Sequence, residues 1–320
     1  MDKLDQDALK ELTRNARESQ PKIAKKLRIS REVLHYRLKR LEQQGYFFYF
    51  SALDIFKIAE VSRYFVGLKY ELGAEEEQQL LHLLKENPSY NVGVLSIGSY
   101  DLRFSCIVKK KEEIYALLST LERTFKDKVL KVSVLEVIEQ HYFRNHFLGI
   151  DYVKEKHFLR KQVPLHLLDK KDKAILRCLF LHPLIKMTDI AARLHFSVDT
   201  VHRKVRRLFS EKIVTTSVEA DFLKLGMSSY LYMADVKLLD QTLKEKIVSY
   251  GQANTTIKEI FFTMGEYNVL LNFVVRDTTA LRAQLNTLRR FIGGVRDDNL
   301  LILAPEQLSS RGLRLDALFK

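Results

Sequence analysis

SREVLHYRLKRL, residues Ser30 to Leu41, and SVDTVHRKVRRL, residues Ser197 to Leu208, are one pattern written twice, 167 positions apart. Leu34, Leu38 and Leu41, and again Val201, Val205 and Leu208, recur at i, i+4 and i+7, which is one face of a helix. Burying three such side chains is worth roughly 1.5 to 3 kcal/mol each, so the stripe is expected to face a core. The opposite face carries Arg31, His35, Tyr36, Arg37, Lys39 and Arg40 in the first copy, and Thr200, His202, Arg203, Lys204, Arg206 and Arg207 in the second. Ser30 is a good N-cap, because its hydroxyl accepts from an otherwise unpaired backbone N–H. Upstream, QPKIAKKL reads as a short helix with Ile23 and Leu27 inward, and Arg28-Ile29-Ser30 as a tight turn. A helix, a turn and a capped helix with a charged outer face make a helix-turn-helix, whose second helix lies in a DNA major groove.

The offset extends beyond this segment. Asp2, Asp5, Leu9 and Leu12 recur as Asp169, Asp172, Leu176 and Leu179, and Gly98 and Tyr100 recur as Gly265 and Tyr267. The spacing reads as a duplicated gene whose register holds from end to end without an insertion. Within each copy the pattern changes after about residue 60: short β-rich runs such as YFVGLKYE and LRFSCIV alternate with amphipathic helices such as EEIYALLSTLERTF. That order is βαββαβ, the ferredoxin-like plan. The expected class is α+β: a winged helix-turn-helix over 1–60, a ferredoxin-like domain over 61–140, a partly helical linker over 141–166, the same two domains over 167–227 and 228–308, and a tail over 309–320.

The 320 residues carry 53 Lys and Arg against 40 Asp and Glu, a net charge of +13, and 46% are hydrophobic. Such a chain is expected to be globular, with a polyanionic partner, nucleic acid first. There is no apolar run long enough for a membrane span and no signal-like start, and the two cysteines, Cys106 and Cys178, lack CxxC spacing. A reducing cytoplasm without membrane contact is the expected setting.

Where the charge sits says more than its total. Lys22 to Arg40 holds eight Lys and Arg against Glu32, and Asp189 to Arg207 holds five against Asp189 and Asp199. A charged helix face is by default merely solvated. Here it is nearly one-signed, opposes the leucines and is repeated, which points to double-stranded DNA. Arg suits guanine because its fork spans two acceptors, while lysines such as Lys22 and Lys25 suit phosphates. His195 occupies the second turn and Lys212 stands where the first copy has Gly45, so the first copy is expected to bind more strongly.

These residues together resemble the Lrp/AsnC, or feast/famine, family in a tandem-duplicated form. The matching features are D-x-x-D-x-x-[AI]-L at Asp2 and Asp169, I-A-x-x-L-x-x-S at Ile23 and Ile190, the R-L-x-x-x-G-like ending at Arg40 to Gly45, and a G-x-Y-D turn at Gly98 to Asp101. The resemblance covers nearly the whole chain twice over. It implies transcription regulation and pairing of the two regulatory domains as an intrachain pseudo-dimer, with further homo-oligomers as a family habit. It also implies a small effector, often an amino acid. By resemblance the effector turn is Gly98, Tyr100 and Asp101, with Asp101 on an α-amino group, and Gly265, Tyr267 and Asn268 in the second copy. The wing YFFYFSALDIF is far more aromatic than is usual and is expected to pack on the regulatory domain.

Other chemistry is poorly represented. The pairs Asp2/Asp5 and Asp169/Asp172 read as helix caps, not catalytic carboxylates. No histidine or cysteine has a full ligand set at zinc spacing, and no P-loop, GxSxG or dinucleotide glycine motif is present, so no metal, cofactor or catalytic residue is expected. Two rivals remain. Siroheme decarboxylases look like Lrp/AsnC proteins and are sometimes fused in tandem, but a polycarboxylated substrate asks for several cations on the regulatory sheet. The strands from Val92 to Val108 offer only Arg103, and those from Phe261 to Val275 offer none. The second rival is an architectural chromatin protein that coats DNA without choosing sequence.

Overall fold

The computed structural model describes residues 1–149 and 168–309. In chain order the first copy contains α1 (Lys3–Arg14), α2 (Gln20–Leu27), α3 (Arg31–Gln43), β1 (Phe47–Leu53), α4 (Ile55–Ile58), β2 (Ser62–Tyr70), α5 (Ala74–Glu86), β3 (Tyr90–Ile97), β4 (Leu102–Val108), α6 (Glu112–Phe125) and β5 (Val129–Tyr142). The second contains α7 (Lys170–Leu181), α8 (Met187–Leu194), α9 (Val198–Ser210), β6 (Val214–Ala220), β7 (Ser228–Val236), α10 (Gln241–Ala253), β8 (Ile257–Met264), β9 (Val269–Val275), α11 (Thr278–Ile292) and β10 (Val295–Ser309). The expected helical linker lies mostly at 150–166, outside the described residues, as does the tail from 310. Among the described residues no helix is long and apolar enough to cross a membrane.

The chain does not divide into a first and a second copy. It divides into a helical unit, built from residues 1–59 and 168–225, and a sheet unit, built from 60–147 and 226–309. Like pairs with like.

In the helical unit each copy is a three-helix bundle followed by a single strand. A lone strand leaves its backbone N–H and C=O groups without partners, which is costly unless another strand supplies them. Here β1 and β6 supply each other: they run antiparallel, from Phe47 opposite Ala220 to Leu53 opposite Val214. The aromatic wing therefore pairs with the wing of the other copy, a correction to the expectation that it lies on the regulatory domain. The exchange continues in the packing, with α1 against β6 and α7 against β1. Ser217 Oγ donates to the Thr13 carbonyl at 3.1 Å across this seam.

In the sheet unit each copy folds as expected, with strand order β3-β4-β2-β5 in the first and β8-β9-β7-β10 in the second. The open edges then meet: β5 pairs with β8 and β10 pairs with β3, both antiparallel, closing one eight-stranded barrel. Closure removes every unpaired edge, and eight strands enclose a space that side chains can fill. Three cores result. Two lie under the helices, around Phe104 and Leu117 in the first copy and Phe273 and Leu285 in the second. The third fills the lumen, where Phe65, Leu135, Leu231, Phe261, Leu270 and Leu301 come from both copies.

The duplication is not in perfect register. Arg63 pairs with Ile107 whereas Ser229 pairs with Val274, so β7 matches β2 at an offset of 166 while β9 matches β4 at 167. A one-residue slip exchanges the faces of a strand. The slip is what keeps Tyr64, Val66 and Leu68 equivalent to Tyr230, Tyr232 and Ala234 under the helices. Phe143, which the sequence assigns to the linker, is fully buried in the core of the second copy, and its N–H donates to the Lys258 carbonyl at 2.8 Å.

Candidate nucleic-acid interface

Both reading helices form for the reasons the sequence supplies. Ser30 Oγ accepts from Val33 N at 3.2 Å and Ser197 Oγ from Thr200 N at 3.3 Å, and Leu34, Leu38 and Leu41, like Val201, Val205 and Leu208, are buried. The preceding turns need a left-handed residue, and Arg28 (φ 56°) and His195 (φ 54°) provide it without being glycine. The helices end at Gly45 (φ 68°) and Lys212 (φ 53°), again a matched pair.

The basic residues on these helices fall into two groups that the sequence alone does not separate. The first group is bound inward. Asp2 and Asp5 form a reciprocal capping box at the start of α1, as expected of them. Asp5, with 1% of its side chain exposed, also takes Arg37 Nη1 on Oδ1 at 2.8 Å and Arg40 Nη2 on Oδ2 at 2.7 Å, and Arg37 reaches Asp2 Oδ2 at 2.6 Å. The second copy repeats the lock with a lysine in one place: Lys204 Nζ meets Asp169 Oδ2 at 2.6 Å and Asp172 Oδ1 at 3.0 Å, and Arg207 Nη2 meets Asp172 Oδ2 at 2.7 Å. The hydrogen bond from Asp5 N, then that from Arg37, holds the Asp2 carboxyl below the usual carboxylate range. Lys204, then Asp172 N, lowers Asp169 to about 2. Arg37, Arg40, Lys204 and Arg207, assigned to DNA from sequence, thus tie the reading helix to the first helix of its bundle, while Arg207 stays exposed beside the groove. A signal was present: the D-x-x-D pair and its two cations keep the same spacing in both copies.

The second group faces solvent. In α3 it comprises Arg31, His35, Tyr36 and Lys39, with Tyr36 67% exposed. His35 Nδ1 lies 3.3 Å from Gln20 Oε1 at the start of α2. In α9 it comprises His202, Arg203 and Arg206, which with Asp199, Arg207 and Ser210 line a shallow groove along the helix. Arg31, Lys39, Arg203 and Arg206 make no salt bridge among the described residues. Thr200 does not belong here. It is half-buried and its hydroxyl is 2.8 Å from Ser197 Oγ, within the N-cap.

Apart from these tied residues, each reading helix keeps two cations that are unpaired among the described residues. The excess charge of the first copy sits instead on α2, where exposed Lys22 and Lys25 occupy the positions of Asp189 and Ala192 in α8. Lys22 is 3.3 Å from Glu18 and otherwise solvated.

Each reading helix is also held at its far end by the other copy. Lys57 Nζ donates to the Glu211 carbonyl at 2.9 Å, and Lys224 Nζ donates to the Gln44 carbonyl. A cation at a helix C-terminus opposes the negative end of the dipole, so this reciprocal cap favours one placement of the two helices. Arg17 adds a third tie, donating to the Pro183 and Ile185 carbonyls beside the Phe209 ring. None of these three residues stood out in the sequence.

The hairpin turns assigned to an effector are occupied by structure. Asp101 Oδ1 accepts from Lys69 Nζ at 2.7 Å and Oδ2 from Tyr70 N at 2.9 Å. Asn268 Oδ1 accepts from Val236 N at 2.9 Å and its Nδ2 donates to Val236 O at 2.8 Å. Both side chains pin the turn to the first βαββαβ strand of their own copy. Tyr100 and Tyr267 are buried, and Tyr100 OH donates to Glu266 Oε2 at 2.7 Å. Gly98 (φ 141°) and Gly265 (φ 145°) approach the opposite copy so closely that a Cβ would lie 2.8 Å from Leu301 Cδ2 and 2.7 Å from Leu135 Cδ2. The glycines are there to close the barrel.

Comparison with known proteins agrees with this geometry. Residues 1–47 match a family described as winged helix-turn-helix DNA-binding, and residues 168–208 match the AsnC-type helix-turn-helix domain. An uncharacterized HTH-type transcriptional regulator of Pyrococcus abyssi is 31% identical over 117 residues, which is 36% of this chain and 77% of that protein. A counterpart from Pyrococcus horikoshii is 30% identical over the same length. The crystal structure of the siroheme decarboxylase NirDL superposes with a TM-score of 0.64, covering 96% of this chain and 92% of that one, at 13% identity, a likeness of fold alone. With two helix-turn-helix units, two βαββαβ units and relatives of this kind, the chain belongs to the Lrp/AsnC family, as a tandem duplicate.

Proposed function

We propose that the chain is a sequence-specific transcription regulator that reads duplex DNA with α3 and α9 together. The observation that supports this most is the sorting of charge: the inner cations of both helices are neutralised by Asp5 and Asp172, while Arg31, Lys39, Arg203 and Arg206 stay outward and unpaired. Their neighbours set specificity. Tyr36 offers an apolar face suited to a thymine methyl, whereas Arg203 at the same position offers a fork suited to guanine. The two half-sites are therefore unequal in sequence, and the cross-copy lysine caps keep their spacing constant.

Selection of duplexes by the full-length protein tests this reading. An asymmetric site with a salt slope of about −5, from about six exposed Lys and Arg whose charges displace counterions from the duplex, is the expected result. Equal affinity for random and selected duplexes at matched salt would favour an architectural role instead. The superposition on a siroheme decarboxylase keeps an enzyme reading in view, and a Soret shift on mixing with siroheme would support it. Against it, the hairpin strands of the two copies carry only two cations, Arg103 and Lys258.

A further inference from the structure

The barrel lumen is not apolar throughout. At one end the Arg103 guanidinium lies 3.9 Å over the Phe65 ring, Phe65 meets Phe261 edge-on at 4.8 Å, and Tyr142 meets Phe261 at 5.9 Å. Arg63 stands at the same end, its Nη1 donating to Gln140 Oε1 at 2.7 Å and to Tyr142 OH at 2.9 Å. Glu259 is within Coulombic reach of Arg103, and accepts from Asn272 Nδ2 at 3.1 Å. Arg103 is half-buried as a residue, yet its Nη2, like Arg63 Nε, is cut off from solvent and meets no hydrogen-bond partner among the described residues. Burial pushes Arg103 down to about 10, which leaves it charged at neutral pH.

The other copy, across the barrel, shows that closure does not require these cations. There the positions paired like Arg63 and Arg103 hold Ser229 and Leu270. Buried guanidinium N–H groups without partners are costly, and a bound anion is what would satisfy them.

We propose that this end of the barrel binds a small monocarboxylate, its oxygens accepting from Arg63 Nε and Arg103 Nη2 and its apolar part lying against Phe65 and Phe261. Two guanidinium charges against Glu259 leave one positive charge, which matches a monoanion. The aromatic walls suit a short organic acid better than a strongly hydrated dianion. This inference is independent of DNA binding.

Calorimetry and thermal unfolding of the full chain with sodium propionate or benzoate, at ionic strength held constant with chloride, test the site. Saturable binding and a rising Tm are expected, with no comparable effect of sulfate or phosphate. Arg103→Leu, which copies Leu270, is expected to weaken binding about tenfold or more, and Arg63→Ser, which copies Ser229, to do likewise. The outward pair Arg31→Ala/Lys39→Ala leaves carboxylate binding unchanged. No saturable binding, an equal response to chloride or sulfate, or unaltered affinity in both lumen variants would overturn the proposal.

Discussion

The two reading helices differ in a way that charge counting misplaces. Over the matched windows the first copy is far more basic, yet α3 and α9 present the same number of unpaired cations once Arg37, Arg40, Lys204 and Arg207 are bound to aspartates. The imbalance belongs to the flanking helices α2 and α8, and the difference in reading belongs to Tyr36 against Arg203. Buried ion pairs and exposed cations look identical in sequence. They act oppositely: one holds the helix and the other is offered to a partner.

The largest test removes the locks. Asp5→Ala is expected to cost about 3 kcal/mol in urea unfolding, the lower end for a broken buried pair because both arginines keep some solvent. Asp172→Ala should cost at least as much, since Lys204 is 11% exposed against 23% for Arg37. A loss below about 1 kcal/mol in both would show that the locks are ornamental.

Next come the outward residues. Arg31→Ala/Lys39→Ala and Arg203→Ala/Arg206→Ala should weaken selected-site binding by similar amounts, about 1 to 3 kcal/mol for each base edge no longer read. Lys22→Ala/Lys25→Ala should instead flatten the salt slope by about 2 with little change in site preference. If that pair altered preference and the helix pairs did not, flank and reading helix would have exchanged roles.

A smaller effect separates the copies by pH. Asp169 titrates lower in the folded chain than in the unfolded one, so its contribution is complete above its ordinary value near 3.8 and is lost as pH falls towards about 2. Asp169→Asn should remove that part of the acid unfolding curve of the helical unit. The smallest expected change is local. Arg28→Gly and Lys212→Gly relieve left-handed backbone and should stabilise by about 1 kcal/mol each, read as a shift in urea midpoint. Gly45, already glycine at the position of Lys212, is the internal control.

Helix period, capping serines and the repeat were enough to place every helix of the helix-turn-helix units and the βαββαβ order, because local spacing decides which face an element buries. The same logic found Asp2 and Asp169 as caps. It did not reach the partners of Asp101, where the turn motif was legible but Lys69 and Tyr70, which hydrogen-bond its carboxylate, lie on another strand. It failed at the slipped strand β7, whose offset only cross-strand pairing reveals.

The residues alone determined what the chain is made of: two equivalent sets of elements, each with one basic, one-sided helix. Only the tertiary structure decided which set satisfies which. A lone strand and an open sheet edge must find hydrogen-bond partners, and the other copy carries matching ones. The two halves therefore exchange wings, close a common barrel and cap one another's reading helices. The fate of each cation followed from that packing, because whether a guanidinium meets a buried carboxylate, an aromatic ring or water depends on neighbours far away in the chain.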